Sequence, residues 1–128
     1  MLDVNKFFDD SQESQYASVE IKYGQIWFIK NNREFSNNIQ AGARPAIIVS
    51  NDDNNLHSPT VNVIPLTCQD KKDLPVHTII TSAPYDSVAL SEQIFTINKS
   101  DLIECVGVLS KREVRRLKIC IMIQLNLL

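Results

Sequence analysis

All three glycines and all five prolines of this chain lie between Gly24 and Gly107. Glycine and proline break regular structure and make turns. The two ends of the chain are therefore free to be helical, while the middle is cut into short strands between turns. The full sequence has 128 residues. That is one domain, large enough to bury roughly two-thirds of its unfolded surface. It needs no disulfide or structural metal to hold its core.

The middle reads as a series of short strands. Gly24 opens Gln25-Ile26-Trp27-Phe28-Ile29, which has apolar residues on both faces. Residues 30–43 are polar and predict a long loop, a feature often tied to function in compact domains. Ala46-Ile47-Ile48-Val49 has the continuous apolar character of a buried strand. Asn51-Asp52-Asp53-Asn54-Asn55 carries turn chemistry. Thr60–Thr67 predicts the next strand, with Pro65 at an edge or bulge because it donates no ladder bond. Val76–Ile80 and Ser87–Ile97 supply two or three more strands. Lys99–Cys105 is read as one helical turn, and Val106–Leu109 as a last strand.

At the C-terminal end, Ser110 with Glu113 three residues later forms a capping-box signature. The helix it opens is expected to run to about Leu127, with Val114, Leu117, Ile121 and Leu125 as its core stripe. Its stretch Ile119–Ile123 is apolar all round, so either the sheet or a partner chain covers it. At the other end, Val4, Phe7 and Phe8 mark a short helix or a partly ordered extension. Many short strands closed by one helix predict a mostly β fold, a small antiparallel barrel with a C-terminal α-helix.

Charge is unevenly distributed. The net charge is −2. Residues 1–20 hold five acids and one base, and residues 21–128 hold ten acids and twelve bases. Lys111, Arg112, Arg115, Arg116 and Lys118 form a basic cluster that is either a phosphate-binding face or a solvated helix face. The expected organisation is an acidic extension over residues 1–20 and a barrel domain over 21–128.

Several classes are excluded. The three cysteines, Cys68, Cys105 and Cys120, lack CxxC spacing, which argues against a disulfide scaffold or a zinc knuckle. Dinucleotide, P-loop, zincin and serine-hydrolase motifs are missing. His57 and His77 lack metal-ligand spacing and read as structural. Asp9-Asp10 and Asp52-Asp53 would point to opposite faces of an extended chain, so neither is a natural chelator. No cofactor and no metal are expected. The acidic start is not a secretory signal, and no apolar run is long enough to span a bilayer. The expected setting is cytoplasmic.

One arrangement carries chemistry. Arg44 precedes Pro45 and is held extended at the start of a strand. Thr67 ends the strand 60–66. If these strands form a hairpin about residues 51–59, residue 46 pairs with 65 and Arg44 stands opposite Thr67. Opposed side chains share a face about 5 Å apart. A guanidinium forks onto two phosphate oxygens, and a hydroxyl donates one further bond. In RNA the 2′-hydroxyl is already a nucleophile beside the phosphorus, so fixed donors aimed at developing charge can drive cleavage. The competing reading is an arginine in a surface ion pair and a threonine at a strand end.

The blocks Gly24–Phe28, Gln40–Pro45, Ile48–Asp52, Ser58–Val61 and Pro65–Gln69 together carry a likeness: the chain resembles the MazF/PemK toxins of the CcdB/Kid-like barrel superfamily. The likeness continues through Leu74–His77, Asp86–Leu90, Glu92–Ile94 and Thr96–Lys99 into the last helix. It covers about residues 23–128 in order. This resemblance implies an SH3-like barrel acting as a homodimer. It implies a bacterial type II toxin, an endoribonuclease that cuts single-stranded RNA at short sequences. The products would be a cyclic phosphate and a 5′-hydroxyl, made without metal. It implies a cognate antitoxin whose extended tail fills the RNA groove, with operator DNA met only through that complex and no membrane partner. The family's catalytic arginine and threonine fall on Arg44 and Thr67. The RNA site is expected to include Gln40, Gly42, Gln69, Gln93 and Phe95.

The sequence departs from the family pattern at three places. Ile39 replaces a loop glutamate, Phe95 replaces an arginine, and the 30–43 loop is one residue longer. Phe95 either stacks on a base or packs in the barrel. The acidic extension either packs on the barrel or lies over the basic groove. A protein-binding module of the gyrase-poison kind is the alternative to an enzyme.

Overall fold

The computed structural model describes residues 20–30, 43–68 and 74–128. Readings that fall on residues 1–19, 31–42 and 69–73 lie outside this set. The described strands are β1 (Gln25–Lys30), β2 (Ala43–Ile48), β3 (Thr60–Thr67), β4 (His77–Ile80), β5 (Ser87–Leu90), β6 (Phe95–Asn98) and β7 (Leu102–Val108). Among the described residues two α-helices accompany them, α1 (Asp52–His57) and α2 (Lys111–Gln124). One antiparallel sheet runs β4-β5-β3-β2-β1-β7, and β6 also pairs with β3. The fold is mostly β as expected, and among the described residues the sheet remains open, with β4 and β7 as its ends rather than a closing pair.

The central strands are apolar on both faces because both faces are covered. On one face Ile26, Ile47, Ile64 and Leu66 pack with Ile80, Leu109 and Leu117 of α2. On the other, Trp27, Ile29, Ala46, Ile48, Val61 and Val63 form a second cluster. Phe95, Ile97, Leu102 and Cys105 close over this second cluster. The pairing of β1 with β7 carries two register shifts, at Ile26/Trp27 and Phe28/Ile29.

Pro65 sits inside the sheet without breaking it. The pairing of β3 with β6 runs from Thr60 to Val63, and the pairing with β5 starts at Leu66. Pro65 therefore falls where β3 changes partner, the kind of irregularity that tolerates a missing donor.

Two local expectations are corrected. Residues 51–55 are not a simple turn. Asn51 caps α1 by accepting from the Asn54 amide at 2.8 Å. The buried Asn55 amide donates to the Ser50 carbonyl at 2.8 Å, and Asp52 accepts from the Tyr23 amide at 2.7 Å. Caps and a satisfied buried amide overcome the poor helix propensity of this run. The helical turn read over Lys99–Cys105 spans only Lys99–Asp101, as a 3₁₀ turn, because Leu102 already starts β7 along β1.

The capping box at α2 is present, with Ser110 accepting from the Glu113 amide. The helix ends at Gln124, one turn short of the expected limit, so Leu125 falls at the cap and is exposed instead of joining the core stripe, and Asn126 takes a positive φ of 59°. Glu113 does more than cap. Its carboxylate also accepts from the amides of Thr81 and Ser82, at 2.7 and 3.3 Å, and from the Ser82 hydroxyl. This ties the start of α2 to the turn after β4. Four donors on one buried carboxylate hold its pKa down at about 2, against the opposing effect of desolvation.

Candidate active site

The β2–β3 hairpin has the register expected from the sequence: Ala46 pairs with Pro65, Ile47 with Ile64 and Ile48 with Val63. Continued by two residues, this register sets Arg44 opposite Thr67. The alternation of the strands agrees. Ala46 and Ile48, on Arg44's side of β2, share the second cluster with Val61 and Val63, on Thr67's side of β3. Arg44 and Thr67 thus lie on one face, at the end of the sheet from which residues 31–42 and 69–73 depart.

Arg44 is flanked across β1 by Ile29, which is 2 % exposed, and is itself half-buried. That burial lowers its pKa from the ordinary arginine value. A guanidinium so far from its ordinary deprotonation range at neutral pH keeps its charge. Partial desolvation strengthens its pull on an anion. Thr67 is half-buried and pairs with Val88 of β5.

Phe95 is directly opposite Val63 in the β3–β6 ladder and packs against the second cluster. It lies on the same face as Arg44 and Thr67, and the structure gives it a core contact. Gln93 is exposed on the 3₁₀ turn Ser91–Gln93. This turn joins β5, the neighbour of Thr67, to β6, the neighbour of Val63. It spans the place where β3 changes partner. Gln40, Gly42 and Gln69 lie outside the described residues, as does Ile39.

Sequence reasoning gave His77 only a structural role without finding its partner. His77 Nε2 meets the Glu92 carboxylate at 2.8 Å. The Ser91 amide donates to the Val76 carbonyl at 3.3 Å. Together these contacts fasten the Gln93 turn to the start of β4. Their sequence separation of 15 residues left no local signal.

Comparison with known proteins decides the family. Residues 22–125 match the PemK-like, MazF-like toxins of type II toxin-antitoxin systems. The chain belongs to this family. An Endoribonuclease MazF from Staphylococcus saprophyticus is 39 % identical over 93 residues, which is 69 % of this chain and 78 % of the relative. A mycobacterial endoribonuclease solved in complex with its cognate antitoxin superposes with a TM-score of 0.72. That likeness covers 84 % of this chain and 97 % of the other at 22 % identity, and it speaks to fold alone. MazF from Deinococcus radiodurans superposes with a TM-score of 0.67 at 16 % identity, over 83 % and 96 % of the two chains. Within the MazF-like fold, the Arg44–Thr67 end of the sheet is the candidate active site, and α2 packs on the opposite face.

Proposed function

We propose that this MazF-like toxin is an endoribonuclease that cleaves single-stranded RNA at the Arg44–Thr67 end of its sheet. The observation that carries this reading is the hairpin register of 46–48 with 63–65, which, continued by two residues, sets a half-buried arginine opposite a threonine. The relative named as an endoribonuclease supports the catalytic reading over a protein-binding module.

In the proposed reaction the 2′-oxygen attacks the neighbouring phosphorus while the bond from phosphorus to the 5′-oxygen breaks. The 2′-hydroxyl loses its proton, and the departing 5′-oxygen gains one. The products are a 2′,3′-cyclic phosphate and a 5′-hydroxyl. Arg44 holds two non-bridging oxygens and offsets the charge gained in the phosphorane. Thr67 donates a hydrogen bond to the phosphate or relays a proton. Gln93, exposed on its fastened turn, and Gln40, Gly42 and Gln69 are assigned to the flanking nucleotides. Phe95 contributes through packing under the site or by stacking on a base.

Two partners extend this reading. The exposed apolar side chains Ile119, Ile123, Leu125 and Leu127 are suited to a homodimer contact. A cognate antitoxin would block the RNA groove and link the toxin to operator DNA. No described helix is long and apolar enough to cross a membrane, and a cytoplasmic setting fits an RNA substrate.

The test uses the purified chain and a long defined RNA in excess EDTA, with Arg44→Ala alongside. Discrete fragments with 5′-hydroxyl ends, absent with the variant, are expected. Equal cleavage by wild type and variant would remove Arg44 from the mechanism.

A further inference from the structure

The solvent face of α2 is built against its own electrostatics. Lys111, Arg112, Arg115, Arg116 and Lys118 are all exposed. Lys111 with Arg115, and Arg112 with Arg116, are like charges four residues apart, a spacing that repels. Lys111 and Arg112 also stand in the first turn, where the helix dipole disfavours cations. Among the described residues, no carboxylate pairs with Lys111, Arg112, Arg115 or Arg116. The one acid in this part of the helix, Glu113, is buried and committed to the Thr81–Ser82 turn. This face is also remote from the candidate active site. Leu117 of α2 joins the Ile47–Ile64 cluster, whereas Arg44 and Thr67 lie on the other side of the sheet.

The chain enters the fold beside this face. The Lys118 ammonium sits 5.6 Å from the centroid of the Tyr23 ring. A Cβ on Gly24 would lie 3.9 Å from the Val114 side chain. The Leu109 amide, just before the α2 cap, donates to the Gly24 carbonyl at 2.9 Å. The segment preceding these residues carries Asp3, Asp9, Asp10 and Glu13 against the single base Lys6. Extended chain covers about 3.3 Å per residue, so Glu13 and Asp10 reach a face that spans two helical turns.

We propose that the basic face over Lys111–Lys118, the first two turns of α2, is the docking surface for the chain's own acidic N-terminal segment, residues 1–19. Complementary charge and the point of entry favour this occupant. The tether replaces a bimolecular encounter with a local one, so weak exposed pairs suffice. Docked there, the segment leaves the Arg44–Thr67 end open and neutralises the basic face that would otherwise hold RNA away from the site of cleavage.

The segment contains its own probe, because trypsin cuts after Lys6. Release of residues 1–6 from the full chain is followed by mass spectrometry, in wild type and in the fourfold variant K111E/R112E/R115E/R116E. The substituted side chains are exposed, and acids suit the first turn that holds two of them, so this variant is expected to fold. Its cleavage is expected to be about tenfold faster in low salt, and the difference should close toward 1 M salt. In a D3N/D9N/D10N/E13Q background the helix substitutions should have no further effect, which cancels any influence of the acids on trypsin itself. Equal rates for wild type and the fourfold variant would overturn the proposal. Protection that falls on dilution would also overturn it, placing the segment on a second copy. Salt-sensitive binding of duplex DNA, lost in the fourfold variant while the Lys6 rate stays unchanged, would assign the face to nucleic acid instead.

Discussion

Replacing Glu113 by Gln should cost about 3 kcal/mol at neutral pH and nothing near pH 2. The carboxylate faces four donors: the amides of Thr81, Ser82 and Ser110, and the Ser82 hydroxyl. It is 7 % exposed, so little solvent competes. These donors lower its pKa from 4.5 to about 2. Each unit corresponds to about 1.4 kcal/mol, which gives about 3 kcal/mol in favour of the ionised folded state. The sign follows from the direction. A folded pKa below the unfolded one adds stability that is complete above about pH 5 and is lost as the pH falls through 4.5 toward 2. Glutamine imitates the protonated acid, because one of its two terminal atoms must turn a hydrogen toward donors. The stability gap between wild type and Glu113→Gln should therefore be about 3 kcal/mol at pH 7, shrink below pH 4.5 and close near pH 2. Urea unfolding at one protein concentration and a series of pH values measures it. A gap below about 1 kcal/mol at pH 7, or one independent of pH, would refute the assignment of Glu113 as an ionised clamp.

Other perturbations test other parts of the structure. Gly107→Ala should destabilise by about 1–3 kcal/mol in the same unfolding assay, because the added Cβ would stand 2.5 Å from the Ser82 carbonyl oxygen. Leu117→Ala should cost about 2–5 kcal/mol, since this side chain is fully buried and joins α2 to the sheet. Arg44→Lys should lower RNA cleavage by about a hundredfold or more despite keeping the charge, because an ammonium cannot fork onto two phosphate oxygens. Thr67→Ser should keep most of the cleavage rate and Thr67→Val should lose it, if the hydroxyl is the working group.

The sequence made some of this fold legible and concealed the rest, for physical reasons. The β2–β3 pairing could be read because Pro45, the apolar runs and the intervening polar residues permit few registers, and the observed 46–65 pairing is the expected one. The capping box at Ser110 was equally local. The helix at Asp52–His57 was hidden because Asn and Asp favour turns, and the Asn51 cap together with the buried Asn55–Ser50 contacts reverses that preference. The grip of Glu113 on Thr81 and Ser82 spans more than thirty residues, and Gly107 approaches Ser82 across 25. Contacts at such separation leave no periodic trace. The same holds for His77 and Glu92, whose pairing fastens the turn that carries Gln93.

The placement of the candidate site follows from the two-sided core. Arg44 and Thr67 occupy the ends of β2 and β3, whose inner residues are fully buried against clusters on both faces. A strand fixed on both faces cannot slip by one residue without moving its apolar side chains to the wrong cluster. The positions of Arg44 and Thr67 are therefore set by Ala46, Ile47, Ile64 and Pro65 rather than by the segments that leave the sheet there. Those segments, 31–42 and 69–73, can then differ in length and composition without disturbing the pair. This separates the two properties an RNA-cleaving site needs. In the proposed reaction the rigid hairpin supplies the donors for the phosphate, and selection of the accepted bases falls to the attached segments. Substitutions in 31–42 should accordingly change the cleaved sequence, whereas Pro65 or Ala46 substitutions should lower the rate at every sequence alike.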